Sequence, residues 1–273
     1  MNSRSKMEDT SWLKQAADKP LFPDLLWSRP ENKRQAGKLL IIGGNQHGFA
    51  APVAAYNAAV AAGVGTARAI LPNSLKKIIT QQNPSLQGGS LQIEYAADTP
   101  SGSLARQALD MILENAKWAD AALLAGDFGR NSETAVLLSS FLDKFNGQVT
   151  AAQDGLDYFL GPNSPLLNRP NTLSVINTGK LQKLGKNNRP ERPVRHAMSL
   201  LELVDLLGNW KTNVITKHAD NFVAASGGQV STTPSKKEQN WQIELAAYAA
   251  VWWLQNPSKA IGALATAVYS YSK

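Results

Sequence analysis

Four short segments of this 273-residue chain set a polar or charged side chain among small residues: Gly43–Ala51, Gly126–Arg130, Gln153–Leu156 and Lys217–Asp220. In the first, Gly43, Gly44 and Gly48 permit backbone angles and close approaches that a Cβ would block. Pro52 suits the first turn of a helix, where its missing N–H costs nothing. A turn of this kind aims free backbone N–H groups outward and favours an anion or phosphate. The same glycines also suit a tight connection with no ligand. Their spacing, Gly-Gly-x-x-x-Gly, is neither the dinucleotide fingerprint nor a Walker A loop. Arg130 either grips a phosphate through two parallel hydrogen bonds or is a surface arginine near a helix start. His47, His196 and His218 lack the spacing of a metal pair, and none has a serine nucleophile with an acidic partner nearby. They read as ordinary polar residues, and no metal site built of protein ligands is expected.

The elements that must carry these segments follow from the apolar pattern. Leu39 to Ile42 is a branched apolar run suited to a parallel strand covered on both faces. Further strands are expected at 65–71, Leu91–Tyr95, 120–125, Gln148–Gln153, Leu173–Ile176, Thr212–Lys217, Phe222–Ala225 and Gln229–Ser231. Helices are expected from Pro52, over Asn73–Gln81, Ser103–Lys117, Ser132–Phe145, Arg195–Leu207, Trp241–Leu254 and Pro257–Tyr271. Asn131 or Ser132 caps the helix to Phe145, with Glu133 in its favourable first turn. Regular alternation with short connections predicts one α/β domain, a three-layer α/β/α sandwich around a mainly parallel sheet. Ligands of such sheets sit above the carboxyl ends of the strands, where all four polar segments fall. Residues 1–36 are expected to pack on the outside of the domain formed by 37–273, anchored by Trp12, Phe22 and Trp27.

Composition bounds the function classes. A 43% hydrophobic and 18% charged content is that of a globular chain. No apolar run reaches the ~18 residues of a membrane helix, and the first twenty residues lack the apolar core of a secretory signal. With no cysteine there is no disulfide framework or thiol nucleophile, and a cytoplasmic protein is the expectation. The net charge of +7 admits an anionic ligand. The densest basic patch, Lys180 to Arg195, holds Gly185, Asn187, Asn188, Pro190 and Pro193 and no interleaved aromatics. It reads as an exposed, partly flexible loop more than as a nucleic-acid site, or as a patch that helps hold a phosphate-rich cofactor.

Gly37-Lys-Leu-Leu-Ile-Ile-Gly-Gly-Asn45, then Ala50-Ala-Pro52 and the alanine-rich helix ending Ala61-Ala-Gly-Val-Gly65, resemble the opening of the ADP/ATP-dependent NAD(P)H-hydrate dehydratases. That family has a ribokinase-like fold and repairs hydrated nicotinamide cofactors. Gly126-Asp-Phe-Gly-Arg130 resembles its Gly-Pro-Gly-Leu-Gly loop, with Asp127 in place of proline and Phe128 expected to reduce backbone access to a substrate. Ala152-Gln-Asp154-Gly-Leu156 is similar to its Asp-Ala-Asp-x-Leu segment, and Lys217 matches the lysine of its Leu-Lys-Gly. By this resemblance Gly43, Gly44, Asn45, Ala51, Gly126, Gly129, Arg130 and Asp154 would line the substrate side, and Lys217 and His218 the nucleotide side. All are expected to converge on one cleft. Asp154 would hold a magnesium-bound phosphate through water or cap the short helix near Leu156. Lys217 would steady phosphate charge or be an exposed lysine. The resemblance implies ATP or ADP with Mg²⁺ as cofactor and NAD(P)HX as substrate, and leaves a homo-oligomer open.

The departures from that pattern are as informative. The family places a Gly-Thr-Gly-Asp loop, supplying an anion hole and a catalytic aspartate, before the penultimate helix. Here that stretch is Lys237-Glu-Gln-Asn-Trp-Gln-Ile-Glu244, without glycine or aspartate, and Glu244 is displaced by about 100° around the helix. The family's Pro-Glu is Pro84-Ser85, and its Thr-Pro-His-x-Gly-Glu is Val175-Ile-Asn-Thr-Gly-Lys180. The expectation is a divergent relative with weak or lost catalysis. The alternatives are a noncatalytic nucleotide- or cofactor-binding protein and, disfavoured by the missing base, a small-molecule kinase.

Overall fold

The computed structural model describes residues 12–82, 91–189 and 191–273. Within them ten strands form one sheet: β1 (Trp12–Lys14), β2 (Lys38–Gly43), β3 (Thr66–Pro72), β4 (Leu91–Ala96), β5 (Ala121–Gly126), β6 (Gln148–Ala152), β7 (Thr172–Val175), β8 (Asn213–His218), β9 (Asn221–Ser226) and β10 (Gln229–Pro234). Their order is β1-β10-β9-β8-β7-β6-β5-β2-β3-β4. Pairing is parallel except that β9 runs antiparallel to both β8 and β10. The expected mainly parallel sheet is present.

The helices are α1 (Pro23–Trp27), α2 (Ala50–Ala61), α3 (Leu75–Gln82), α4 (Leu109–Trp118), α5 (Ser132–Lys144), α6 (Pro165–Asn168), α7 (Thr178–Asn188), α8 (Leu200–Trp210), α9 (Trp241–Gln255) and α10 (Ala260–Ser272). Strand alternation sends Leu40, Ile42, Leu124 and Val149 to one face, under α4, α5, α7 and α8. Leu39, Ile41, Leu123 and Val175 go to the other, under α2, α9 and α10. Two apolar layers therefore sandwich the sheet. No helix among the described residues is long and apolar enough to cross a membrane.

Three expectations need correction. Most of the basic patch is a helix: Asn177 caps α7 by accepting from Lys180 N at 2.9 Å, and Leu181 and Leu184 are fully buried. One apolar stripe and one cap outweigh the low propensity of Gly185, Asn187 and Asn188. The helix expected from Arg195 begins at Leu200, because Ser199 and Glu202 form a reciprocal capping box that fixes its start. Trp27 is no anchor: it is 83% exposed, whereas Phe22 packs against the α9–α10 layer. In the segment before β2, β1 also pairs in parallel with β10, with Trp12 opposite Val230.

Candidate functional site

The parallel strands β2, β5, β6, β7 and β8 end on one edge of the sheet, and the loops that follow them form a row. At β2 the chain turns through Gly44 (φ +86°), whose N–H donates to Gly126 O at 2.9 Å. Gly43 is required by contact: a Cβ there would lie 2.5 Å from Gly126 O and 2.9 Å from Pro52. Asn45 exchanges backbone hydrogen bonds with Gly48, and its side-chain amide donates to Asp127 O at 2.6 Å. The loops after β2 and β5 are thus laced together.

The loop after β5 passes through three left-handed residues, Gly126 (φ +122°), Asp127 (φ +57°) and Gly129 (φ +73°). For Asp127 this conformation is uncommon, and it turns the carboxylate onto the start of α2. Ala51 N–H donates to Asp127 Oδ2 at 2.7 Å. The backbone N–H that the sequence assigns to an incoming anion is therefore already engaged by the chain's own carboxylate. Phe128, expected to reduce backbone access to a substrate, is instead fully buried in the core, edge-on to Tyr158 at 6.2 Å.

Asp154 follows β6 within the 3₁₀ segment Gln153–Phe159. Its Oδ2 accepts from Gly129 N–H at 3.2 Å, while Oδ1 is buried with no hydrogen-bond partner. Burial raises its pKa most, and the Asp127 charge adds to this; the Gly129 N–H and the Lys180 charge act in the opposite sense. Burial also pushes Tyr158, whose hydroxyl donates to Gly129 O, up to about 12. An acid whose pKa is higher folded than unfolded binds its proton more tightly in the folded state. Stability therefore falls as pH rises from the ordinary aspartate value of about 3.9 through the raised folded value. Asp154→Asn should thus raise the denaturation midpoint at neutral pH, with the difference shrinking as pH falls toward the ordinary aspartate value. An unchanged difference across that range would contradict it.

Further along the row, Lys180 in the first turn of α7 donates to Gln153 O at 2.6 Å and pairs with Asp157 at 2.7 Å. Thr178 Oγ1, two residues earlier in the same turn, donates to Lys217 O at 3.3 Å. Lys217 Nζ reaches Lys237 O at 2.6 Å, and His218 closes the β8–β9 turn opposite Asn221. Gly43, Gly44, Asn45, Ala51, Gly126, Gly129 and Asp154 are therefore linked directly or through Asp127. Arg130 extends from the same loop, exposed and without a hydrogen bond or ion pair to any described residue. Lys217 and His218 stand apart: four strand steps of about 4.8 Å place β8 about 19 Å from β2, with Lys180 as the link between. Sequence reasoning set Lys180 only within the basic patch that would help hold a phosphate-rich cofactor, and it missed Asp157 as part of the row. The one signal was a lysine at 180 where the resembled family has an acid. Pro84 and Ser85 lie outside the described residues.

Ahead of α9, Lys237 to Asn240 forms no glycine cradle. Asn240 is left-handed (φ +52°) and its side chain caps nothing. Glu244 is turned to α10, where Tyr271 OH donates to its Oε2 at 2.9 Å. Burial, then the Glu244 contact, holds the Tyr271 phenol well above its ordinary range. No group of three or more His, Cys, Asp or Glu able to hold a metal occurs among the described residues. The Asp154 carboxylate, with Oδ1 buried and unpartnered, is the group here that would meet a hydrated magnesium ion, which needs only one or two carboxylates beside water and phosphate.

No family model matches the chain. In sequence it is 24% identical over 211 residues to the bifunctional NAD(P)H-hydrate repair enzyme Nnr of Moorella thermoacetica, covering 73% of this chain and 36% of that protein. It is 32% identical over 126 residues to the enzyme of the same name from Methanocaldococcus jannaschii, covering 46% and 23%. The chain thus spans only about a third or less of the length of these curated relatives, 36% of the first and 23% of the second. Among solved structures, a ribokinase-like superfamily protein from Enterococcus faecalis superposes with a TM-score of 0.70 at 15% identity, covering 96% of this chain and 87% of that one. The ADP/ATP-dependent NAD(P)H-hydrate dehydratase of Bacillus subtilis, co-crystallised with ATP and Mg²⁺, gives 0.57 at 13% identity, covering 88% and 79%. The chain has a ribokinase-like α/β fold, and in sequence it resembles the NAD(P)H-hydrate repair enzymes.

Proposed function

We propose that the row of loops from Gly43 to His218 binds a nicotinamide nucleotide of the NAD(P)H-hydrate type, and that ATP- or ADP-dependent dehydration there is very slow or absent. The observation that carries this reading is the state of the segment before α9. It holds no glycine and no aspartate, and Glu244, in the first turn of α9, is held by Tyr271. The loop after β2, by contrast, keeps in sequence the paired glycines and the Ala-Pro helix start of the resembled family. Binding can survive such a loss, because remote contacts supply affinity while the missing groups serve the transition state.

On this reading the acidic end of the row, around Asp154 and Asp127, takes the donor-bearing part of the ligand. Lys180, Lys217 and His218 at the other end take phosphate, and Lys217 keeps residual affinity for an adenine nucleotide. Calorimetric titration of the chain with NADH, NADHX, ADP and ATP tests this. Saturable binding of a nicotinamide nucleotide, weakened several-fold by Lys217→Ala or Lys180→Ala, is expected. Absence of binding by all four ligands would overturn the reading.

A further inference from the structure

The resembled family's glycine loop and the helix start after it imply a cradle for an anion at the beginning of α2. The geometry of this chain disagrees, and the disagreement rests on one residue. Asp127 Oδ2 accepts the Ala51 N–H at 2.7 Å, and Asn45 fixes the peptide of the same aspartate through its carbonyl at 2.6 Å. A Cβ built on Gly48 would meet only the Asp127 carboxylate, at 4.0 Å. The carboxylate therefore lies beside Gly48, at ordinary contact distance from where a Cβ would stand. A second acid, Asp154, lies close enough to Asp127 for the two charges to interact.

We infer that Asp127 is a specificity-determining residue: it fills the α2 end of the cleft with the chain's own negative charge and excludes phosphate-bearing groups from it. A phosphate arriving there would have to displace a short charge-assisted hydrogen bond and sit beside a like charge. The end of the cleft at β2 and β5 is thereby reserved for a neutral or hydrogen-bond-donating part of a ligand. This refines the nicotinamide-nucleotide reading by fixing the direction in which such a ligand lies, with its phosphates toward Lys180 and Lys217.

The test uses inorganic phosphate as the probe and amide NMR as the readout, on the full chain and on two variants. Asp127→Gly removes the carboxylate and is at ease with a left-handed backbone. Asp127→Asn keeps the shape and an acceptor for Ala51 N–H but removes the charge, and it serves if the glycine variant does not fold. In the wild type, phosphate should leave the Ala51 and Gly48 amides unmoved. In either variant the same titration should shift them saturably, with an apparent affinity raised on the order of tenfold by loss of the like charge. Wild-type amides that shift at the same phosphate concentration as the variants would overturn the inference, as would variants whose amides stay still. A parallel titration of the wild type with NADH, NADHX, ADP and ATP keeps the two claims apart. Phosphate gain in the variants without binding of any of the four sinks the proposed function and leaves this inference standing, and the converse pattern does the reverse.

Discussion

Replacing Phe128 with alanine should lower the stability of the fold by about 3–5 kcal/mol, the usual cost of emptying a buried phenylalanine site. The denaturant midpoint should fall with little change in slope. Phe128 is fully buried in the layer that includes Leu124, Leu137, Leu156 and Phe159. Its ring lies against the backbone of Gly155, where a Cβ would sit 3.1 Å from Cε2. The side chain is also the anchor of a functional loop, since Asp127 and Gly129 on either side of it are both left-handed. With the anchor removed, Asp127 should lose its hold on Ala51 and Gly129 its hold on Asp154. Ligand affinity should therefore fall together with stability, and access to the cleft should not improve. A loss below about 1 kcal/mol, the range of ordinary surface changes and mild core swaps, would contradict this placement.

Much of the fold was legible because its signals are local. Leu39–Ile42 is a continuous branched run of the length of a strand, and the runs at 121–126 and 148–152 repeat the pattern. What escaped reading depends on partners far away in the chain. The three residues of β1 become a strand only because β10 accepts them more than two hundred positions later. In α7, Leu181 and Leu184 decide the structure by burial, while the glycine and asparagines around them speak for a loop.

The site divides along the same line. Its glycines were readable because φ > 0 at Gly44, Gly126 and Gly129 leaves a mark in composition. Asp154 and Lys217 were readable as charges at strand ends. The bond from Ala51 to Asp127 spans 76 positions, and nothing in either local sequence announces it. The same holds for Lys180, whose contacts with Gln153 O and Asp157 join the two halves of the row. Glu244 was correctly expected to point elsewhere from helical rotation alone, and Tyr271 supplies the partner that the sequence did not name.

The second large effect concerns chemistry. A fixed donor at an anion hole contributes about 3–4 kcal/mol to a transition state, and a general base contributes another 10²–10⁴-fold. A site lacking both should sit many orders of magnitude below an ordinary enzyme. The most direct measurement is recovery of NADH absorbance from NADHX by the chain with ATP or ADP and Mg²⁺. No recovery above the protein-free rate is predicted. Turnover near ~1 s⁻¹, the low end for ordinary enzymes, would contradict the account and point to a replacement base, with Glu244 and Asp154 the first residues to substitute.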